Sequence, residues 1–127
     1  MTKSRILSQR LKDLLSDRIH DLYQNQLEHE LREITYQAFD NTLVILIEGT
    51  LTKPEKVLQE DDRQELTRKV RGALDRHLQP QIKALLEEIT GLTVVDFLYD
   101  STIDTERTGA IAVFELSPKL SAPLPAR

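Results

Sequence analysis

The stretch "ITYQAFDNTLVILIE", residues 34–48, decides the fold because it predicts a β-hairpin. Two runs of strand-favouring residues flank Asp40-Asn41, and both residue types tolerate the positive φ that two-residue hairpin turns need. We therefore expect antiparallel strands at about 34–39 and 42–48. The second strand is apolar at nearly every position, which predicts a place inside a sheet rather than at its edge.

A helix is predicted before this hairpin. Apolar residues recur there at steps of three and four, which indicates one helix from about Ser4 to Asn25. The next segment, residues 26–32, allows two interpretations. Leu27, Leu31 and Ile34 keep the helical spacing and could extend the helix. Alternatively, the segment is a connection into the first strand, and this second interpretation is favoured.

A short helix is predicted after the hairpin. Residues 52–55, Thr-Lys-Pro-Glu, have the form of a capping box, with a hydroxyl at the N-cap and a carboxylate three residues later. Proline in the first turn of a helix sacrifices no hydrogen bond. This helix should end at about Gln59.

A longer helix should follow, starting at Asp61-Asp62 and ending near Gly91 as its C-cap. Pro80 should break or kink it near Gln79, because proline lacks the N–H that the helical hydrogen bond requires. The apolar side of this helix is expected to contain Leu66, Val70, Ala73, Leu74, His77 and Leu78, and then Ile82, Leu85, Leu86 and Ile89.

Two more strands are predicted at about 93–99 and 110–116, with a polar loop at 100–109 between them. The order helix, hairpin, helices, hairpin predicts an α+β fold, with a four-stranded, mainly antiparallel sheet and helices packed on one face. The other face of the sheet would be left to solvent or to a partner. We expect a single domain at residues 1–116 and a disordered, proline-containing tail at 117–127.

The composition argues against several classes of function. The chain has 127 residues and a net charge of −4, with basic and acidic residues interspersed, which disfavours nucleic-acid binding. It has no cysteine, so disulfides and thiolate catalysis are excluded. The longest apolar run, residues 43–47, is far shorter than the roughly 20 residues of a membrane-spanning helix. The N-terminus lacks the apolar segment of a signal peptide, so we expect a cytoplasmic protein with no direct membrane insertion.

The sequence contains no recognisable catalytic, metal or cofactor motif. His20, His29 and His77 lack the spacing of metal ligands, and position 33 is glutamate where a zinc-protease helix starting at His29 would have its second histidine. The four glycines form none of the usual nucleotide-binding patterns. Because no nucleophile–base spacing is present either, we predict a protein that is not an enzyme and binds no metal or cofactor.

Two groups of polar residues are candidates for ligand binding. The 100–109 loop could hold a cation or a polar ligand, or could cap its own backbone, and the structural interpretation is favoured. The middle helices carry interspersed basic residues, usually a solvated face, in which Arg68 and Arg71 lie one turn apart and could bind an anion. The candidate ligand-binding residues are therefore Asp100, Ser101, Thr102, Arg107, Thr108, Gly109, Arg68 and Arg71.

Three short motifs stand out in the chain: Leu51-Thr52 with Pro54-Glu55, then Glu87-Glu88-Ile89-Thr90-Gly91, and finally Asp100-Ser101-Thr102 with Arg107-Thr108-Gly109. Together they resemble the MpsC-like family, small domains named after a membrane-potential-generating system, and the third motif has the longer hairpin form of cyanobacterial members. Related sequences favour glycine near positions 28 and 106 and proline near 31, where this chain has Glu28, Glu106 and Leu31. The changes at 28 and 31 favour a helical segment at 26–32.

The resemblance implies an accessory or regulatory component linked to ion or inorganic-carbon uptake, not a transporter itself, and it assigns no catalytic residues. Together with the amphipathic first helix and the sheet face left open, it leads us to expect a non-enzymatic module. We expect this module to form a homodimer and to bind a protein partner at a membrane transport system. The alternative is a small-ligand or ion sensor that uses the 100–109 loop with Arg68 or Arg71.

Overall fold

The computed structural model describes residues 8–115, which form three helices and four strands. The predicted α+β fold is confirmed, and α3 begins at Gln64, later than the predicted start at Asp61-Asp62. Residues 4–7 of the first predicted helix and the predicted tail at 117–127 lie outside the described residues. In chain order the elements are α1 (Gln9–Leu27), β1 (Glu33–Phe39), β2 (Thr42–Glu48), α2 (Lys53–Glu60), α3 (Gln64–Thr90), β3 (Val94–Thr102) and β4 (Arg107–Phe114).

The four strands form one antiparallel sheet in the order β1-β2-β4-β3. β2 lies inside the sheet, as its apolar sequence predicts, and pairs with β1 on one side and with β4 on the other. Ile45 is opposite Tyr36 on β1 and Ala110 on β4, so these three side chains lie on the same face.

The helices cover this face of the sheet and leave the other face uncovered. α1 and α3 bury apolar side chains against β2 and β4, and the core includes Leu15, Ile19, Tyr23, Leu78, Ile82, Leu86, Leu43, Ile45, Ala112 and Phe114. Since successive side chains of a strand point to opposite faces, the register assigns a second apolar set to the uncovered face. We call this surface the open face, and its apolar members are Phe39, Val44, Leu46, Leu98, Ile111 and Val113.

The first helix ends at Leu27, and residues 28–32 form the connection that the sequence favoured. Glu28 has the left-handed backbone, with φ of 50°, and Glu106 shares it, with φ of 59°. These are the two positions at which the resemblance to the family implied glycine. The expectation that Glu28 favours a helix through 26–32 is therefore wrong, because a left-handed residue ends a helix.

Replacing Glu28 by glycine is expected to raise the free energy of unfolding by about 1 kcal/mol, because glycine adopts the left-handed conformation without the penalty of a Cβ. The Glu28 side chain is exposed, so little packing is lost. Urea unfolding of the wild type and the variant measures the difference. Glu30→Gly is the matched control, since Glu30 is exposed in the same connection but has no positive φ. An equal gain in both variants would contradict this explanation.

The predicted break at Pro80 is wrong, because α3 continues through this residue to Thr90. Proline has no N–H to donate to the carbonyl oxygen of Arg76, four residues earlier, so this one helical hydrogen bond is lost. Leu78 and Ile82 on either side of the proline are buried in the core. Tertiary packing therefore holds the helix together where its intrinsic propensity is poorest.

The apolar side predicted for the first half of α3 is also wrong. Thr67 and Arg71 are the buried residues there, whereas Leu66 is 37% exposed and Ala73 is exposed. The prediction is correct in the second half, where the buried residues are Leu78, Ile82, Leu85 and Leu86. α3 thus buries a polar side at its N-terminal end and an apolar side at its C-terminal end.

Candidate functional site

The second hairpin is longer than predicted, and its loop is shorter. The strands extend so far that the predicted 100–109 loop is reduced to a turn at residues 103–106. The long loop was a wrong prediction because hydroxyl and charged residues fill strand positions here, which removes the apolar signal of a strand. The six candidate residues of this segment pair across the strands in the register Asp100–Gly109, Ser101–Thr108 and Thr102–Arg107.

Asp100, Arg107 and Gly109 lie on the open face and do not converge on a site, whereas Thr102, which pairs with Arg107, lies at the end of β3 beside the turn. Asp100 is exposed and accepts a hydrogen bond from the backbone N–H of the adjacent Ser101. Arg107 Nε donates to Glu48 Oε1 at 3.2 Å across the neighbouring strand. Gly109 lies opposite Asp100 within the paired strands and has no positive φ.

Two other candidates, Ser101 and Thr108, lie on the helix-covered face and form a chain of buried hydroxyls. Their oxygen atoms are 2.7 Å apart. Thr108 Oγ1 donates to Thr50 Oγ1 at 2.9 Å, and Ser101 Oγ donates to Asp75 Oδ1 at 3.0 Å. The hydroxyls therefore connect the second hairpin to α3 and to the segment that follows β2.

Arg71 is the cation at the centre of this cluster. Its Nη1 donates to the carbonyl oxygen of Thr50 at 2.8 Å and to Glu55 Oε1 at 3.3 Å, and its Nε lies 3.3 Å from Asp75 Oδ1. Only 3% of Arg71 is exposed, and Glu55 is completely buried. The prediction that Arg71 forms part of an exposed anion-binding surface is therefore wrong. We call this cluster the Arg71 network; its members are Thr50, Glu55, Arg71, Asp75, Ser101 and Thr108.

Glu55 belongs to the predicted capping box, and its burial was not predicted. Its Oε1 accepts hydrogen bonds from the backbone N–H of Thr52 at 2.9 Å and from the Thr52 hydroxyl at 2.8 Å. The same oxygen accepts the bond from Arg71. One carboxylate oxygen thus fixes the start of α2 and joins α2 to α3.

The Arg71 network holds two carboxylates and one guanidinium in a buried environment. Burial raises the pKa of Asp75, and the nearby guanidinium of Arg71 lowers it by a smaller amount. Burial also raises the pKa of Tyr99, whose hydroxyl oxygen lies 3.4 Å from that of Tyr23. Tyr99 is therefore neutral at physiological pH. These groups are placed to hold the elements together by mutual hydrogen bonds and charge pairing.

An open cleft of about 600 Å³ lies beside the network. It is formed by the end of α2 at Gln59, by Gln64, Thr67 and Arg68 in the first turns of α3, and by residues 101–105. Three of the candidate residues, Arg68, Ser101 and Thr102, line it. The sequence therefore identified part of this cleft, although it predicted a long loop rather than a groove between a turn and a helix.

Residues 8–115 contain no group of three or more histidine, cysteine or acidic side chains that could hold a metal ion. Over the same residues, no helix has the length and apolar character needed to cross a membrane.

Comparison with protein families gives one match, over residues 8–116, to the family described as "Na+-translocating membrane potential-generating system (MpsC)". The match covers most of the chain and includes all seven helices and strands. Searches of curated proteins and of solved structures each gave no match.

Proposed function

The chain belongs to the MpsC family, and from this premise we propose that it is a non-enzymatic accessory component that acts through protein–protein contacts. The family description refers to a Na+-translocating membrane potential-generating system. We propose that the chain works from the cytoplasm as a regulatory partner of such a system and associates with itself through the open face. Arg71 pairs with both Glu55 and Asp75, which supports a structural role for these groups rather than a catalytic one. Glu55 Oε2 and Arg71 Nη2 are buried atoms of this network that have no hydrogen-bond partner among the described residues.

The apolar character of the open face is the observation that carries this proposal. Leu98 is 61% exposed and Phe39 is 55% exposed, and Ile111 lies between Leu98 and Val44 across three adjacent strands. Contiguous exposed apolar patches on a protein surface mark interaction sites. A second copy of the chain is the occupant that we propose, since a two-fold axis near Ile111 would place the same apolar side chains of both copies in contact.

The size of the open face limits how tight such a dimer can be. Each strand has at least seven residues. With strands about 4.8 Å apart and a rise of about 3.3 Å per residue, the face measures roughly 450 Å² in plan. A standard stable interface buries about 800 Å² per partner. We therefore propose a dimer that exchanges with monomer in the micromolar range rather than a permanent one.

Light scattering coupled to size exclusion tests this proposal on the full chain and on a chain ending at Leu116. The wild type is expected to change from monomer to dimer as its concentration rises, and Ile111→Lys is expected to remain monomeric because it would bury a charge at the centre of the interface. Leu98→Lys, at a more exposed position of the same face, should weaken the dimer as well.

Ala84→Lys is the matched control, because Ala84 is exposed on α3, on the helical side of the protein. This variant introduces the same charge and should dimerise like the wild type. Circular dichroism verifies that each variant is folded. A wild type that stays monomeric up to about 100 μM, well above the proposed range, would rule out self-association, and a dimer unaffected by Ile111→Lys would place the interface elsewhere.

The alternative function, a sensor built on a long 100–109 loop, loses its premise because these residues pair in two strands. One part of this alternative is still compatible with the structure, because Arg68, Ser101 and Thr102 line a cleft that could bind a ligand.

A further inference from the structure

We propose that the cleft between the second hairpin and the start of α3 binds a small molecule carrying a carboxylate or phosphate group, and that Arg68 recognises this group. The site is separate from the open face and adds a ligand to the proposed function. The volume of about 600 Å³ falls within the range of roughly 300–1,000 Å³ that is typical of small-molecule sites. Two segments distant in sequence, residues 59–68 and 101–105, form the walls, so the cleft exists only in the folded chain.

Arg68 provides the chemistry for an anionic group. It is exposed, and no described residue forms an ion pair or a hydrogen bond with its side chain. A free guanidinium offers a planar fork of N–H donors, which matches the paired oxygens of a carboxylate or phosphate. Arg68 also lies in the second turn of a helix of 27 residues, whose N-cap residue, Arg63, makes no side-chain cap. The partial positive charge at the N-terminus of α3 therefore adds to the positive charge of the Arg68 guanidinium.

The other lining groups set the polarity of the ligand. Gln64 contributes an amide, and on the opposite side the hydroxyl of Thr102 at the end of β3 lies 2.6 Å from that of Thr105 in the turn. Asp104 adds one carboxylate, which accepts a hydrogen bond from Gln59 Nε2 at 3.4 Å. A second anionic group on the ligand would be repelled by Asp104. The cleft therefore suits a small ligand with one anionic end and a polar, hydrogen-bonding remainder.

Ser101 connects the cleft to the interior of the protein. It lines the cleft, and its hydroxyl also bonds to Asp75 and contacts Thr108 in the Arg71 network. A ligand in the cleft would thus contact two elements, α3 and the second hairpin, that the network already joins. Binding should therefore stabilise the folded chain, and thermal unfolding will detect it.

The experiment uses the full chain, with inorganic phosphate and glycerate, which has one carboxylate and two hydroxyls, as separate probes at constant ionic strength. At a probe concentration ten times its Kd, the melting temperature should rise by about 4 °C or more. Arg68→Ala should weaken binding at least tenfold by calorimetry, and Arg68→Lys should bind with intermediate affinity because it keeps the charge but loses the fork. Asp104→Asn should bind the same probe several-fold more tightly, since it removes a negative charge from the cleft.

Lys69→Ala is the matched control, because Lys69 is the exposed basic residue next to Arg68 but does not line the cleft. It should bind both probes like the wild type. The proposal fails if neither probe raises the melting temperature at roughly 50 mM, or if Arg68→Ala shows the same rise, which would indicate a general salt effect. Equal losses in Arg68→Ala and Lys69→Ala would also overturn it. None of these variants lies on the open face, so this result is independent of the oligomeric state.

Discussion

Replacing Arg71 by alanine is expected to lower the free energy of unfolding by about 3–5 kcal/mol, because a buried ion pair that loses one partner leaves an uncompensated charge. The charge left behind is that of Glu55, which is completely buried. Asp75, whose carboxylate lies 3.3 Å from Arg71 Nε, would lose its cation as well. For a domain of this size such a loss is a large fraction of the total stability of about 5–15 kcal/mol.

A backbone acceptor is also affected by this substitution. The carbonyl oxygen of Thr50 receives a hydrogen bond of 2.8 Å from Arg71 Nη1, and Thr50 is buried. A buried carbonyl without a donor adds to the cost of the change. Urea unfolding, followed by circular dichroism, measures the difference from the wild type.

Arg68→Ala is the matched control for this prediction, since Arg68 lies one turn earlier on the same helix and is exposed. Its effect should stay within about 0.5 kcal/mol. Combining Arg71→Ala with Glu55→Gln tests the mechanism, because a neutral side chain at position 55 should recover part of the loss, with a coupling of about 0.5–3 kcal/mol. Equal effects of Arg71→Ala and Arg68→Ala, or strict additivity with Glu55→Gln, would contradict the account.

The hairpin at 34–48 and the first helix could be predicted from the sequence because their buried positions hold apolar residues. Leu15, Ile19 and Tyr23 recur at four-residue steps, and all three are fully buried. β2 has the predicted bounds, and its apolar sequence agrees with its place inside the sheet. In these elements the local pattern and the tertiary structure agree, which is the condition under which periodicity is informative.

The first half of α3 and the second hairpin could not be predicted in the same way, because polar residues occupy their buried positions. Thr67, Arg71 and Thr108 are each at most 3% exposed. Burying such groups is favourable only when they bond to one another. Arg71 on α3 bonds to Glu55 on α2, and Thr108 on β4 bonds to Thr50. Because these partners are far apart in the sequence, a short stretch of neighbouring residues does not show that such polar positions are buried.

The motifs that resemble the family did include some of these buried polar residues. Thr52 and Glu55 of the first motif and Ser101 and Thr108 of the third all lie in or against the Arg71 network, whereas the second motif, at residues 87–91, does not. The motifs thus contained part of the network but not Thr50, Arg71 or Asp75, and they did not show its geometry. The cleft is a similar case, because Arg68 and Ser101 were candidates while their position against the turn at 103–106 depends on the register of the strands.

Replacing Leu86 by alanine is the other change with a large expected effect, a loss of about 2–5 kcal/mol in the free energy of unfolding. Leu86 is completely buried in the core that α1, α3 and the sheet share. Its truncation removes apolar contacts and leaves a cavity that the surrounding side chains fill only in part. Thermal and urea unfolding at equal protein concentration give the change in stability.

Leu66→Ala tests whether the loss of stability depends on burial or on the apolar pattern of the sequence. Both Leu66 and Leu86 were assigned to the apolar side of α3 by that pattern. Leu66 is 37% exposed, whereas Leu86 is completely buried. The Leu66 variant should lose no more than about 1 kcal/mol, since little apolar surface is uncovered and alanine is the best helix former. If the two variants lost equal stability, the first half of α3 would pack through Leu66 as the apolar pattern predicts. A loss confined to Leu86→Ala would instead support the rotation of α3 that turns Thr67 and Arg71, rather than Leu66, towards the interior.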